Sequence, residues 1–259
     1  MTSTALTLIL PTYNESEIIE DSLRKIEKAI GPALASETEI LIADDGSDSL
    51  PAVVEGIRSQ FAFAQLHTMR NPTRLGKGRS IANAIQLANG KVIGFMDADL
   101  STPPEYIKSA LEKVQSTCDI LIASRRHKDS NVQRKQSLAK KILGDLYYIF
   151  CKKLFFNDDH FYTDTQCGFK FFKKQAAQIL YKNLTAKDGL ADLEILIRAN
   201  WLNYRVQEIG VNWKDDRESK RSLWYILKGE VFSLAQLIWV YGFNQKSQKE
   251  YLSEISYGR

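Results

Sequence analysis

Hydrophobic and polar positions in the first half of the chain follow two alternating rhythms. Short apolar, β-rich runs at residues 6–10, 39–43, 63–69, 91–96 and 119–124 read as strands. Between them, apolar residues recur at helical spacing: Ile18, Ile19, Leu23, Ile26 and Ile30, then Val53, Val54 and Ile57, then Ile81, Ala84, Ile85 and Ala88. This alternation predicts βαβ units in an α/β fold, a Rossmann-like, mainly parallel sheet flanked by helices. The punctuation agrees. Asn14 or Ser16 is available to cap the first helix and Gly31-Pro32 to end it; Asn89-Gly90 closes a later helix, and Pro103-Pro104 opens the next where proline is tolerated.

Beyond residue 124 the rhythm loosens. It leaves a strand candidate at 168–172, helices near 174–182 and 190–200, and a strand near 204–211, with no internal repeat or low-complexity tract. The aromatic-rich stretch 223–243 predicts a C-terminal amphipathic helical appendage, suited either to a core or to an interface. The expected division is a domain at 1–222 and a tail at 223–259.

Composition changes this picture little. With 259 residues, 44% of them hydrophobic and 25% charged, the chain can bury a substantial core. The net charge of +4 is mild, but its distribution is uneven: nine Lys/Arg stand against two Asp from Arg125 to Lys153, interleaved with Leu146, Tyr147, Tyr148, Ile149 and Phe150. Basic residues beside an apolar surface suit a membrane interface better than nucleic acid, for which no recognised module is present. Three cysteines, Cys118, Cys151 and Cys167, lack zinc-site or disulfide spacing and read as free thiols of a reducing compartment. The first ten residues have no basic segment and too short an apolar run for a signal peptide, and Lys228 and Glu230 interrupt the most apolar part of the tail. The expected location is cytoplasmic, peripheral on the cytoplasmic face of a membrane.

Candidate chemistry gathers where strands end. Ligands of an open α/β sheet bind outside the carboxyl ends of the strands, and three such ends carry Pro11 to Glu15, Asp44 to Asp48, and Asp97-Ala98-Asp99. If the extended backbone continues through Ala98, the Asp97 and Asp99 carboxylates point to one side and suit a hard divalent cation completed by water and phosphate oxygens. The other reading is a solvated loop in which Asp99 caps a helix. Asp44 and Asp45 can accept from ribose hydroxyls or a base N–H, and Asp-Asp-Gly-Ser is also good turn chemistry. Lys77-Gly78 at a helix start offers a cation and backbone N–H groups to phosphate, without matching an ATPase P-loop.

Taken together, Pro11-Thr12-Tyr13-Asn14-Glu15, Asp44-Asp45-Gly46-Ser47, Asn71 through Gly78 and Asp97-Ala98-Asp99-Leu100 occur in the order and approximate spacing of inverting family 2 glycosyltransferases of GT-A fold, which the chain resembles over residues 5 to 222. Ser124-Arg125, Asp164 through Lys170, Asp192-Leu193-Glu194, and Val211-Asn212-Trp213 with Ser219-Lys220 resemble dolichyl-phosphate β-glucosyltransferases and, less closely, the mannose synthases. The resemblance implies a nucleotide-sugar donor, with UDP-glucose favoured, whose base and ribose meet Pro11, Tyr13, Glu15 and Asp45, with Asp44, Lys77, Gly78, Ala98 and Gln166 also lining the site. It implies Mg2+ or Mn2+ on Asp97 and Asp99 as Lewis acid, and a polyprenyl phosphate acceptor held by Arg125 with Lys170 or Lys220 as helpers. Two departures stand out. Ser101 occupies a place where many mannose synthases have Gln, and the N-terminal membrane segment of the eukaryotic glucosyltransferases has no counterpart here, so attachment is expected from elsewhere. Should the acceptor be a sugar hydroxyl instead, Asp192 or Glu194 has to serve as general base. A non-catalytic nucleotide-sugar-binding subunit, or one with a membrane-protein partner, fits less well with two intact metal carboxylates.

Overall fold

The computed structural model describes residues 4–46, 49–133, 138–156, 162–186, 190–214, 234–242 and 253. The chain begins with strand β1 (Leu6–Thr12), helix α1 (Ile19–Ala35), β2 (Thr38–Asp44), α2 (Leu50–Ile57), β3 (Gln65–Arg70), α3 (Lys77–Leu87), β4 (Val92–Met96), α4 (Tyr106–Ser116) and β5 (Ile120–Ser124). This is the alternation that the periodicity predicts. A two-residue strand β6 (Asn131–Val132), helix α5 (Leu138–Phe155), β7 (Phe169–Lys173), α6 (Lys174–Leu180), α7 (Ala191–Trp201), β8 (Val206–Gly210) and β9 (Asn212–Trp213) follow.

The main sheet has seven strands in the order β3-β2-β1-β4-β7-β5-β8. Pairs β1·β2, β2·β3, β1·β4 and β5·β8 are parallel, and only β7 runs against its neighbours β4 and β5. The chain leaves β1 for β2 and β3 on one side and returns to β4 on the other, which makes the gap above β1 and β4 the topological switch point. Because β7 is antiparallel, its amino end at Phe169 lies beside the carboxyl end of β4, opposite Met96. Residues just before β7 therefore join the same rim as those just after β1, β2, β4 and β5.

Alternation along the strands divides the core into two layers. Leu6, Leu8, Leu10, Ile40, Ile42, Phe169 and Phe171 pack with α1, α2 and α4 on one face, while Ile9, Leu41, Phe95, Ile122 and Phe172 pack with α3, α6 and α7 on the other. The inner residues of both layers are fully buried. Gly94 in β4 is required by close packing, since a Cβ there would meet the Phe171 ring at 2.7 Å. Leu237, wholly buried, belongs to the second layer, and Tyr241 packs on Trp201 with ring centroids 5.0 Å apart. The described part of the tail thus includes residues that pack on the core, whereas residues 215–233 and 243–252 lie outside the described residues, as does most of the expected appendage.

Three local expectations need correction. The first helix starts at Ile19 with no side-chain cap bond; instead the Glu15 carbonyl accepts from Ile18 N at 3.1 Å and Ile19 N at 3.2 Å, while Asn14 turns with φ 56°. At Gly31 the helix does break, with φ 72° and ψ 167°, yet helical bonding resumes through Pro32 to Ala35 because glycine carries the positive φ and proline tolerates the restart. The strand stops at Met96, as read, so the condition that the extended backbone continue through Ala98 is not met; Leu100 N donates to Asp97 O at 3.0 Å, and Leu100 itself has φ 55°. Asp97 and Asp99 therefore sit on a turn rather than on a strand.

Candidate active site

Asp97 sits at the rim directly beyond β4, its N–H donating to Gly168 O at 3.0 Å. Its carboxylate lies against Gly168, where a Cβ would fall 1.9 Å from Oδ2, so only glycine leaves room for it. Lys77, the first residue of α3, donates from Nζ to Asp97 Oδ1. Both side chains are about one-third exposed, at 35% and 37%. Burial would lower the Lys77 pKa, but Asp97 and Asp192 outweigh it and raise the value. Asp99 is exposed and accepts from Ser101 N at 3.0 Å and Ser101 Oγ at 2.8 Å, closing the turn. Ala98 is buried, and its carbonyl accepts from Ser22 Oγ of α1 at 2.6 Å, which ties the turn to the sheet's helical layer.

Asp45 organises the opposite wall. It is 5% exposed, and its carboxylate accepts from Leu75 N at 2.7 Å, Gly76 N at 2.9 Å, Asn71 Nδ2 at 3.1 Å and Ser80 Oγ at 3.1 Å. Asp45 thus fixes the Asn71–Gly76 loop and, through it, the start of α3 with Lys77 and Gly78; Gly76 takes φ 91° there. Asp44 is wholly buried at the end of β2, with Arg70 Nε 3.9 Å away. Arg74 stacks over the Tyr13 ring at 4.2 Å, with Tyr13 43% exposed at the mouth. Pro11 and Thr12 end β1, and Glu15 begins the turn into α1. Thr12 Oγ1 and Gln166 Nε2 are buried at this rim with no hydrogen-bond partner among the described residues, the kind of polar atoms that a ligand completes.

Arg125 is clamped. Its Nε and Nη2 donate to Asp164 at 2.6 and 2.9 Å, its backbone N donates to the same carboxylate at 3.0 Å, and Trp213 lies under the guanidinium at 5.4 Å. Burial alone would raise the Asp164 pKa, but these bonds and the Arg125 charge hold it below the usual carboxylate range. The fork leaves Nη1 outside the pair, and Asp97 adds to the field that raises Arg125. Arg126 instead bonds Asp145 of α5 at 2.6 Å, joining the end of β5 to that helix.

Two expected roles are overturned by burial. Lys170 has no exposed side-chain surface; its Nζ donates to Cys167 O and Asp192 Oδ1, each at 2.7 Å, so it cannot hold an acceptor phosphate from solution. Glu194 is likewise sealed, accepting from Arg198 Nη2 and Tyr241 OH at 2.5 Å each, from Thr185 N at 3.0 Å and from Ala186 N at 2.7 Å. A carboxylate with four donors is a structural staple, not a base. Asp192 keeps 11% exposure but is neutralised by Lys170. Lys220 lies outside the described residues. Thr12 and Gly168 stand inside motifs read from the sequence but were given no role of their own, and the Arg198 and Tyr241 partners of Glu194 were missed; the i,i+4 Glu–Arg pair inside an otherwise apolar helix was the available signal for Arg198.

The protein-family model for glycosyl transferase family 2 matches residues 7–178. The chain belongs to this family. Curated relatives include the glycosyltransferase AglD of Haloferax volcanii, 27% identical over 221 residues (84% of this chain, 34% of the relative), and a dolichyl-phosphate beta-glucosyltransferase of Dictyostelium discoideum, 29% identical over 225 residues (83% and 68%). The chain spans about a third of the first relative and about two-thirds of the second. Among solved structures, the mannosyltransferase PcManGT of Pyrobaculum calidifontis, in complex with GDP-Man and Mn2+, superposes with TM-score 0.60 at 20% identity, covering 90% of this chain and 64% of that one. The fold of this family 2 enzyme is therefore GT-A, a mainly parallel sheet flanked by helices.

Proposed function

We propose that the chain transfers a hexosyl group, from UDP-glucose in the favoured case, to a polyprenyl phosphate with inversion at the anomeric carbon. The glucosyltransferase and mannosyltransferase relatives support the donor class, and the dolichyl-phosphate beta-glucosyltransferase supports the acceptor class. One observation supports the choice of an anionic acceptor: of the two carboxylates considered as bases, Glu194 is sealed in the core and Asp192 is paired with Lys170. A phosphate monoester, with its second pKa about 6, arrives as a nucleophile and needs no base.

The residues present fit a divalent cation. Asp97, about one-third exposed at the rim, is a hard oxygen donor, and the diphosphate and water would complete the shell of Mg2+ or Mn2+. Asp97, with Asp99 after a turn of its side chain away from Ser101, would hold the ion, which when bound supplies Lewis-acid stabilisation of the leaving diphosphate. The chain's own groups do the rest. Pro11, Tyr13 and Glu15 receive the base and ribose; Asp45 positions the Leu75 and Gly76 backbone and α3 rather than touching the donor; Lys77 offers its ammonium to the diphosphate. Arg125, aimed by Asp164, presents Nη1 to the acceptor phosphate. An acceptor oxygen attacks the anomeric carbon as its bond to the diphosphate breaks.

The acceptor lies in a membrane, and Ile149 (48% exposed), Phe150 (45%) and Trp239 (74%) support an interfacial face where α5 packs against the Ile238–Gly242 turn, with Lys152 and Lys153 alongside. No helix among the described residues is long and apolar enough to cross a membrane. Calorimetry with Mn2+ against UDP-glucose, GDP-mannose and UDP-N-acetylglucosamine tests the donor: the reading expects UDP-glucose to bind tightest, and Asp99→Ala to weaken it at least about tenfold through the lost ion. Equal binding of all three, or binding indifferent to Mn2+, rejects it.

A further inference from the structure

Asp97 is not an empty carboxylate waiting for an ion. It already has a cation, the Lys77 ammonium, and the two halves of that pair are built very differently. Asp97 is fixed: its backbone N–H is bound to Gly168 O at 3.0 Å, and its carboxylate rests on Gly168, where not even a methyl group fits. Lys77 is held at its backbone by the Asp45 bonds to Leu75 and Gly76 and by the start of α3, while its side chain is about one-third exposed and its ammonium lies 5.8 Å from the Phe95 ring centroid. A lysine stem has four rotatable carbons, and an ammonium is a point charge with no demand for forked geometry.

Lys77 holds Oδ1 and Gly168 crowds Oδ2, so an ion taking the Asp97 carboxylate competes with the Lys77 ammonium for it. The displaced charge then needs another anion. Asp192, which also raises the Lys77 pKa, is already committed to Lys170, so it offers a weak refuge. A diphosphate delivered at the same rim offers a strong one. We infer that Lys77 is a built-in counter-ion that holds Asp97 until a divalent cation and a nucleoside diphosphate arrive together, and that it then passes to the diphosphate. The inference rests on the proposed ion and donor site. Its consequence is thermodynamic: ion and nucleotide each raise the other's affinity, because the first to bind bears the eviction and the second rewards it.

The test uses the full chain, MnCl2 and UDP, and follows free Mn2+ by its electron paramagnetic resonance signal. Without UDP, Lys77→Met should bind Mn2+ about fivefold more tightly than wild type, the scale of one half-exposed ion pair. UDP should tighten Mn2+ binding at least about tenfold in wild type and about fivefold less than that in Lys77→Met, because part of the coupling runs through the evicted ammonium and the rest through direct ligation of the ion by the diphosphate. Lys77→Arg keeps the charge and should retain wild-type behaviour, and Lys77→Gln, measured in parallel, should reproduce Lys77→Met. An unchanged Mn2+ affinity in both neutral variants, or an undiminished enhancement by UDP, overturns the inference while leaving the ion site standing. A wild-type chain that takes up no Mn2+ even with UDP overturns the ion site itself, and the inference with it.

Discussion

Among the carboxylates that face a basic side chain at close range, Glu194 and Asp97 have opposite fates. Glu194 in α7 is wholly buried, receives four donors and binds an Arg198 that also holds the Leu180, Lys182 and Asn183 carbonyls. Asp97 is about one-third exposed, and its salt-bridge partner among the described residues is Lys77, a side chain exposed to the same degree. Residue type does not separate structural from chemical charge; saturation does. Where every lone pair is occupied and water is absent, a charge can only hold the fold, whereas a carboxylate with one mobile partner at a strand end can exchange it for a ligand. The same contrast divides the cations: Lys170 is locked inside, and Lys77 is at the rim.

The largest expected effect breaks the sealed side. Glu194→Ala strands a buried guanidinium and should cost about 3–5 kcal/mol, a melting point lower by roughly 10 °C, as read by thermal and urea unfolding. Asp97→Asn should invert that profile, losing at least about a hundredfold in transfer while the melting point moves by no more than about 2 °C, since a half-exposed pair is worth about 0–1 kcal/mol. Gly168→Ala sits between the two. Its methyl would displace the Asp97 carboxylate, so both properties should suffer: about 1–3 kcal/mol of overpacking in unfolding experiments and a clear loss of Mn2+ affinity.

The smallest effect comes from a third carboxylate, Asp119, at the opposite end of β5. Burial opposes its charge, but hydrogen bonds from Arg205 and Lys173 win and hold its pKa at about 2. An unfolded aspartate titrates near ~3.9, so this pair's contribution is fully present above that pH and fades as pH falls toward about 2. A shallow loss of stability across that acid window, flattened in Asp119→Asn, is the expected result; an identical slope in the variant would assign the loss to other groups.

Much of the fold is legible because βαβ units write themselves locally. Strands β1, β2, β4 and β5 are short, mainly apolar runs, while the edge strand β3 buries only Leu66, and the helices between them show a buried face at helical spacing. A strand was legible at 168–172, one residue from where β7 lies (Phe169–Lys173), but not as the antiparallel member between β4 and β5, because strand order is decided by long-range packing that no local pattern records. The rim was legible for the same reason that strand ends are legible: Pro11 to Glu15, Asp44-Asp45 and Asp97 each follow a run. What the residues did there was not. Asp45 reads as a ribose ligand until its four donors are seen, and Lys170, in a Phe-Lys-Phe-Phe-Lys strand, reads as a surface cation because nothing local announces Asp192 folding over it. Arg125 shows its position after a strand but not its clamp, since Asp164 is distant in sequence.

The account stands on transfer to an anionic lipid. The most direct measurement supplies the purified chain with UDP-[14C]glucose, Mn2+ and detergent-dispersed polyprenyl phosphate, with the matching polyprenol as the uncharged comparison. The account predicts an organic-soluble, labelled glucosyl lipid from the phosphate and none from the alcohol. Glucose transfer to the alcohol at a comparable rate, or to neither lipid while UDP-glucose binds, would contradict it.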